Sequence, residues 1–232
     1  MFLWELSKRF PQVVSSPTYL FPLSRYYFQV EGKLSEESLI LWSKEFCSAD
    51  KNFLDIGAHT GTYTLSLAPH CNHVYAFEPQ KFTYYGLCGG IALSNYQNVT
   101  AYNTALGSSP QRGKMTLKII SHDGGGSSIL PLSTHENPMA SETVDVKSLD
   151  EDFTIDNIGF VKIDVEGNES YVLEGAKNTL ARSNFPPIIF EYQEFPQYQE
   201  VNSNLKKVIR ELGYDTQPIS GYENLMVLAT RK

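Results

Sequence analysis

The chain has 232 residues, a formal net charge of −7 and a pI near 5.3, with 41% apolar and 19% charged residues. This composition is typical of a soluble globular protein, and the length suits one α/β domain with additions. The acidic balance disfavours nucleic acid as a partner, because a negative surface repels a phosphate backbone.

The first segment, MFLWELSKRFPQVV, has too short an apolar run for a signal peptide. No stretch approaches the about 18 apolar residues of a membrane helix, so we expect no membrane span. The three cysteines, Cys47, Cys71 and Cys88, lack zinc-ligand spacing and indicate a reducing, cytoplasmic location. Nothing in the sequence indicates an oligomeric state.

Residues 1–50 are predicted to form an N-terminal extension that packs on a core domain spanning 51–232. Ser35 to Ser38 resembles a helix start, with a hydroxyl cap followed by acids. Leu39, Trp42 and Phe46 follow at helical intervals, so this helix should end near Cys47.

From Asn52 onward, strand and helix patterns alternate. We predict strands over 52–56, 73–78, 99–105, 159–164, 187–191, 214–217 and 225–230, and helices over 61–69, 80–94, 168–181 and 199–212. Such alternation indicates a mostly parallel sheet with helices on both faces. The last two strands have no helix between them, so they should form an antiparallel hairpin at the sheet edge.

The alternation breaks in an inserted segment at about 106–150. KMTLKII and ETVDVKSL read as strands, and a Gly-, Ser- and Pro-rich linker separates them. Long polar loops in compact domains are often functional. The HDGGGSSIL loop, 122–130, is therefore either an active-site lid, with Ser127 and Ser128 facing an acceptor, or an ordinary surface loop.

The stretch NFLDIGAHTGTYTLSLA has the strand, glycine loop and helix order of a ligand-binding turn. It does not fit a Walker phosphate loop, because Gly57 and Gly61 are one residue too close and Thr62 replaces the lysine. It does not fit a dinucleotide fingerprint either, because His59 occupies the second glycine position.

Two acids favour a different ligand. Asp55 lies inside the first strand and Glu78 ends the second, where a carboxylate can accept hydrogen bonds from ribose hydroxyls. A negative side chain next to the loop would attract a cationic ligand end and repel a pyrophosphate. The pair predicts S-adenosyl-L-methionine, although Asp55 could be a turn former and Glu78 a solvated acid.

Several segments in the correct order resemble the FkbM family of class I methyltransferases. FLDIGAHTGTYTL, VYAFEPQKFTYYGL and NVTAYNTALGS resemble its first three motifs, and SETVDVKSLDED precedes the most specific one, VKIDVEGNESYVLEGAKNTL with PPIIFEYQE. The match runs from about Asn52 to Glu194. One departure is His59, which stands where many members carry Asn.

The resemblance implies a Rossmann-like class I methyltransferase sheet, mostly parallel, with S-adenosyl-L-methionine as cofactor. It also implies O-methylation of a hydroxyl on a sugar, a glycan or a small metabolite, and it does not fix the acceptor.

Ligands of open α/β sheets bind beyond the carboxyl ends of the strands. This places the cofactor between Asp55, Glu78, Asp164 and the glycine loop, Gly57 to Gly61 with His59. The backbone from Asn103 to Ala105 is a candidate for contact with adenine, or else a routine strand exit.

The candidate catalytic residues lie on the later strands. Lys162 and Asp164 alternate, so they face the same side, and Glu191 on the neighbouring strand is the expected partner of the lysine. The pair is either a structural ion pair or a group that orients or deprotonates the acceptor hydroxyl.

His59, His122, Asp164, Lys162 and Glu191 are all possible bases. Asp164 and Glu166 could also bind a divalent cation, but two acids in one turn are common without metal, and we expect none. Two other functions stay open. One is a catalytically silent cofactor-binding module within an assembly, and the other, disfavoured by His59 and Asp55, is an NAD-dependent oxidoreductase.

Overall fold

The computed structural model describes residues 36–121, 124–131, 137–223 and 225–231. The strands in these ranges are β1 (Asn52–Ile56), β2 (His73–Phe77), β3 (Val99–Tyr102), β4 (Ala105–Leu106), β5 (Gly113–Ile119), β6 (Ala140–Lys147), β7 (Ile158–Ile163), β8 (Ile188–Glu191), β9 (Asp215–Pro218) and β10 (Met226–Thr230). The α-helices are α1 (Glu37–Ser43), α2 (Thr62–Leu67), α3 (Lys81–Ser94), α4 (Leu149–Asp152), α5 (Glu169–Glu174), α6 (Lys177–Arg182) and α7 (Gln199–Glu211).

The main sheet has seven strands in the order β3-β2-β1-β7-β8-β10-β9. The first five of these pair in parallel, and β10 pairs antiparallel with both β8 and β9. The predicted α/β class, the mostly parallel sheet and the antiparallel edge hairpin are therefore confirmed. Within this hairpin, β9 is the edge strand of the sheet, and β10 lies between β8 and β9.

A second sheet of three strands, in the order β4-β6-β5, contains the strands predicted in the inserted segment. The single strand predicted over 99–105 is divided between the two sheets. β3 ends at Tyr102, and the hydroxyl of Thr104 donates to the carbonyl of Asp145 at 2.9 Å, so the chain joins β6 instead.

The single helix predicted over 168–181 is likewise interrupted, between α5 and α6. A Cβ atom at Gly175 would lie 2.1 Å from the carbonyl oxygen of Gly107, so the chain passes very close to β4 there. The Gly175 carbonyl accepts from the amide of Asp150 and the hydroxyl of Ser148. These tertiary bonds replace the helical bonds that would continue α5.

The sheet is covered on both faces. Leu54 and Ile56 of β1 pack with residues of α5, α6 and α7 in the larger core. Phe53, on the opposite face of β1, packs with Leu39 and Ile40 of α1 and with residues of α2. This alternation directs the Asp55 side chain toward the same face as Phe53, the α1 and α2 face.

Residues 1–35, including the predicted hydroxyl cap Ser35, lie outside the described residues. Helix α1 is preceded by Glu36, whose side chain makes no cap hydrogen bond, and α1 packs on the core as expected for an N-terminal cover. The division into 1–50 and 51–232 stays a prediction. Among the described helices, none combines the length and apolarity needed to cross a membrane.

Candidate active site

A cavity of about 270 Å³ opens at the carboxyl ends of the parallel strands. The segments after β1, β2 and β7 all contribute to it, as does the end of β8. The inserted segment forms part of its wall through Leu117, Ile129 and residues 124–127. The structure therefore brings residues from distant parts of the predicted core domain, between Ile56 and Glu191, to one crevice, as parallel sheets do.

The loop between β1 and α2, residues 57–61, forms one side of the cavity. Gly57 has a φ of 77°, and a Cβ atom there would lie 1.7 Å from the carbonyl oxygen of Asp164. Gly61 has a φ of 95° and packs against Leu87 rather than lining the cavity. Gly57 is thus a cavity residue, whereas the predicted cofactor contact of Gly61 is replaced by a packing role.

Glu78 lies in the cavity wall at the end of β2. Its Oε2 accepts the amide of His59 at 2.9 Å, and its Oε1 accepts the amide of Gln80 at 2.8 Å. Burial raises the pKa of Glu78 to about 7, although these two hydrogen bonds act in the opposite direction. A carboxylate fixed in this way retains lone pairs for the hydroxyls of a ligand.

The predicted adenine-contacting segment is only partly in the cavity. Thr104, Ala105 and Leu106 line it, beside Phe77. Asn103 does not, because its side-chain amide turns away and donates to the carbonyls of Glu78 and Pro79 at 3.0 and 2.9 Å. The Asn103 side chain therefore holds the end of β2 in place, and contact of the 103–105 backbone with adenine stays a prediction.

Asp55 is fully buried and lies behind the cavity wall. One oxygen accepts the hydroxyl of Thr64 at 2.5 Å, and the other lies 4.0 Å from Nζ of Lys162. Burial raises the pKa of Asp55, and the charge of Lys162 counteracts part of that effect. Asp55 faces a lysine behind the cavity wall, which argues against its direct contact with a cationic ligand, and its part in cofactor binding stays a prediction.

Lys162 is 5% exposed and reaches the cavity from the middle of the sheet. Its Nζ lies 3.0 Å from Asp164 and donates to the Gly57 carbonyl at 3.0 Å, above the ring of Tyr63. Burial alone would lower the pKa of Lys162, but the charges of Asp164 and Asp55 outweigh it and raise the pKa. The raised pKa and the two neighbouring carboxylates favour the protonated lysine, which argues against Lys162 as a base, and its catalytic role stays a prediction.

Glu191 does line the cavity, but it is not the partner of Lys162. The register places Lys162 beside Ile189 on β8 and beside Asp55 on β1, so its acidic neighbour in register is on β1. Glu191 instead accepts the side-chain amide of Gln193 at 2.6 Å. The predicted ion pair is replaced by the Lys162 pairs with Asp55 and Asp164.

Three carboxylates in the cavity wall lie close to one another. Asp164, Glu166 and Glu191 have oxygens within 4.8 Å of one another. Burial, and then the charge of Asp164, raise the pKa of Glu166 to about 7 and that of Glu191 well above its usual value. Oxygen atoms of this kind suit a divalent cation, but acidic groups also occur without one, so the absence of a metal stays a prediction.

The two candidate histidines differ in position. His59 lines the cavity in a left-handed conformation with a φ of 52°, and its Nδ1 lies 3.3 Å from the hydroxyl of Thr60. A left-handed backbone suits Asn or Gly better, which is consistent with Asn in many related motifs. His122 lies outside the described residues.

The described part of the glycine-rich loop, 124–130, does lie against the cavity. Ser127 lines it and approaches the side chain of Gln80 at 3.4 Å. Ser128 is turned inward and donates to the Glu166 carbonyl at 2.8 Å, so it supports the wall rather than facing a ligand. The placement agrees with the lid hypothesis for Ser127 but not for Ser128, and opening of the loop stays a prediction.

Sequence reasoning missed two acids at this site. Glu36 lines the cavity and accepts the hydroxyl of Tyr63 at 3.0 Å, yet it reads in the sequence as a first-turn acid. Glu169 lies buried beneath the wall and accepts the amides of Val165 and Gly167. An acid two residues after the glycine of VEGNE was the available signal for Glu169, whereas no local pattern indicated Glu36.

The comparisons with known proteins agree with this geometry. The sequence model of the methyltransferase FkbM domain matches residues 55–216. Among curated proteins, no sequence matches the chain at a significant level.

Three solved structures illustrate the fold. A precorrin-6Y C5,15-methyltransferase from Geobacter metallireducens has a TM-score of 0.53 at 11% identity, over 91% of this chain and 100% of that one. An rRNA methylase from Streptococcus thermophilus has a TM-score of 0.52 at 15% identity, over 86% of this chain and 97% of that one. An S-adenosylmethionine-dependent O-methyltransferase from Thermotoga maritima has a TM-score of 0.53 at 9% identity, over 90% of this chain and 70% of that one. At these identities the likeness shows the fold alone.

Proposed function

The chain belongs to the FkbM methyltransferase family and is an S-adenosylmethionine-dependent methyltransferase, and from this premise we propose that it methylates a hydroxyl of a sugar, a glycan or another small metabolite. The observation that carries the proposal is a cavity lined by a carboxylate that two backbone amides hold, Glu78, and by a group of acids near the buried Lys162. Such a site has room for a nucleoside cofactor and for a polar acceptor.

The residues that line the cavity suit the polar and apolar parts of the cofactor. Glu78 would accept hydrogen bonds from the two ribose hydroxyls, and the apolar surface of Leu106, Leu117 and Ile129 would cover adenine. The cavity's acids suit the positive charges of S-adenosylmethionine and oppose a pyrophosphate, which argues against the NAD-dependent alternative.

When bound, S-adenosylmethionine supplies a methyl group on a positively charged sulfur, which makes that carbon open to attack by an oxygen. The protein's own contribution is to hold the acceptor hydroxyl in line and to take its proton. Alignment of this kind is worth up to about 7–11 kcal/mol of a reaction barrier. Lys162, fixed by Asp55 and Asp164, would supply a rigid hydrogen-bond donor at the acceptor side.

The group that takes the proton should titrate near neutral pH. Glu166 meets this condition best, because its pKa is raised to about 7 and its carboxylate lines the cavity. Tyr198 approaches Oε2 of Glu166 at 3.4 Å and restricts its orientation. Asp164, Glu191 and His59 remain further candidates for this role, and we assign the base to Glu166 first.

The acceptor is tested by label transfer. The protein is incubated with methyl-labelled S-adenosylmethionine and a panel of sugars and hydroxylated metabolites, each paired with its deoxy counterpart. We expect label in an acceptor and none in the matching deoxy compound, because the deoxy compound lacks the reacting oxygen. Label that persists in the deoxy compound would locate transfer at another atom.

Two control reactions test the alternatives. Amino-substituted acceptors test N-methylation, and an rRNA fragment tests a nucleic-acid acceptor of the kind named for a structural neighbour. The net charge of −7 favours neither RNA nor another polyanion. Transfer to RNA alone would contradict the proposal, and transfer to nothing despite cofactor binding would favour the catalytically silent module.

A further inference from the structure

Glu36 belongs to the candidate active site although it lies outside residues 55–216, the part of the chain that the family match covers. Its backbone has a φ of 56°, a left-handed conformation that is uncommon for glutamate. The hydroxyl of Tyr63, a residue 3% exposed, donates to its Oε2 at 3.0 Å. A strained backbone and a buried donor together fix this carboxylate at the cavity wall.

Glu78 and Glu36 each accept a hydrogen bond from the β1–α2 segment, but from different parts of it. Glu78 accepts the amide of His59 within the loop, and Glu36 accepts the hydroxyl of Tyr63 in α2. A ligand that follows the segment from the loop to the helix therefore meets first one carboxylate and then the other. S-adenosylmethionine has a matching order of polar groups, since the ribose of its nucleoside carries a diol and its amino-acid end carries a charged amine.

The neighbouring charges balance the negative charge of Glu36 only in part. Lys162 lies near Glu36, but its charge is already shared by Asp164 at 3.0 Å and Asp55 at 4.0 Å. Burial raises the pKa of Glu36, and the charge of Lys162 only partly counteracts that effect. A positively charged group placed beside Glu36 would offset the cost of burying its negative charge.

We propose that Glu36 binds the amino group of the cofactor's amino-acid end, so that the segment before the family domain completes the cofactor site. The inference rests on the proposed function in taking the cavity as the cofactor site. The bond is charge-assisted, with the ammonium donating and the carboxylate accepting.

The test compares two ligands by calorimetry. S-adenosylhomocysteine carries the amine, whereas 5′-methylthioadenosine shares the nucleoside and the thioether but has a methyl group in place of the amino-acid chain. In Glu36→Gln we expect binding of S-adenosylhomocysteine to weaken about tenfold, as expected for loss of one charge-assisted bond. Binding of 5′-methylthioadenosine should change by less than about twofold, because it has no amine to lose.

Two further variants complete the design. Glu37→Gln makes the same change at the exposed neighbouring glutamate and should leave both affinities unchanged. Tyr63→Phe keeps the Glu36 charge but removes the hydroxyl that holds it, so it should weaken S-adenosylhomocysteine binding by less than Glu36→Gln does. Tyr63→Phe decides the question by itself if Glu36→Gln does not fold.

Each outcome has a distinct meaning. Equal weakening of both ligands in Glu36→Gln would assign Glu36 a structural role, and unchanged binding of S-adenosylhomocysteine would remove it from the cofactor site. Either result overturns the inference while the proposed function stands. Failure of the wild-type protein to bind either ligand would instead remove the cavity as the cofactor site.

Discussion

Glu78 shows how a single carboxylate can be prepared for a ligand before the ligand arrives. Both of its oxygens accept backbone amides, so the side chain has little freedom to lose when hydroxyls bind. The same residue ties the β1–α2 loop to the end of β2. Its sequence position, at the end of a predicted strand, was sufficient to single it out.

Replacing Glu78 by Ala should weaken binding of S-adenosylhomocysteine tenfold or more, at a cost of about 1.4 kcal/mol, because the ribose hydroxyls lose their acceptor. Calorimetry measures the effect. Glu142→Ala is the matched control, since Glu142 also accepts a backbone amide, that of Lys81 at 3.0 Å, but lies outside the cavity. Equal affinities in the two variants would exclude Glu78 from the site.

Lys162 is a buried cation, and Asp55 and Asp164 offset the cost of burying its charge. Lys162→Met should lower the free energy of unfolding by about 3 kcal/mol, because it leaves buried carboxylates without a counter-charge. Adding Asp55→Asn should restore part of that loss, since it removes one of the stranded charges. Urea unfolding of both single variants and the double variant measures the coupling. Strict additivity would show that the two side chains do not interact.

At the scale of elements, the β1–α2 loop and the end of β7 are packed against each other through Gly57. The Asp164 amide donates to the Ile56 carbonyl at 3.0 Å, and the Asp164 carbonyl occupies the space of a Cβ atom at Gly57. The glycine is therefore required by both its φ and its contact. This close approach places the strand end that carries Asp164 beside the β1–α2 loop.

Two glycine-to-alanine substitutions separate these requirements. Gly221 has a φ of 83° and nothing within 4 Å of its Cβ position, so Gly221→Ala should cost about 1–2 kcal/mol of stability from the backbone alone. Gly57→Ala, at a φ of 77°, should cost about 1–3 kcal/mol more because of overpacking. Urea unfolding gives both values, and similar losses would mean that the loop and β7 separate easily.

At the scale of the whole molecule, the protein concentrates buried acids at one edge of its sheet. Burial raises the pKa of Glu78, Glu166 and Glu169 to about 7 in the folded protein. An acid with a raised folded-state pKa stabilises the fold fully below its unfolded pKa of 4.5, and that stabilisation is lost as the pH rises through about 7. The fold should therefore weaken across neutral pH.

We expect the midpoint temperature of thermal unfolding to decrease as the pH is raised from about 5.5 to about 8. Glu169→Gln should flatten this dependence, because one Glu169 oxygen accepts both the Val165 and Gly167 amides and Gln can retain those bonds without titrating. Glu174→Gln, an exposed change nearby on the same helix, should leave the slope as in the wild type. A midpoint that rises over this range would contradict the expectation.

The sequence by itself determined the parts of the protein that depend on neighbouring residues. The strand at Asn52–Ile56, the glycine loop and Glu78 follow from periodicity and turn chemistry, which act over a few residues. The order of these patterns also determined the fold class and the family, and hence the cofactor.

Only the tertiary structure decided which charges face one another. Lys162 pairs with Asp55 because β1 and β7 are adjacent in the sheet with those two residues in register. Glu36 enters the cavity because α1 packs on the α2 face. No local pattern specifies such contacts, because the neighbours in a parallel sheet come from distant segments and are chosen by the packing of the whole core.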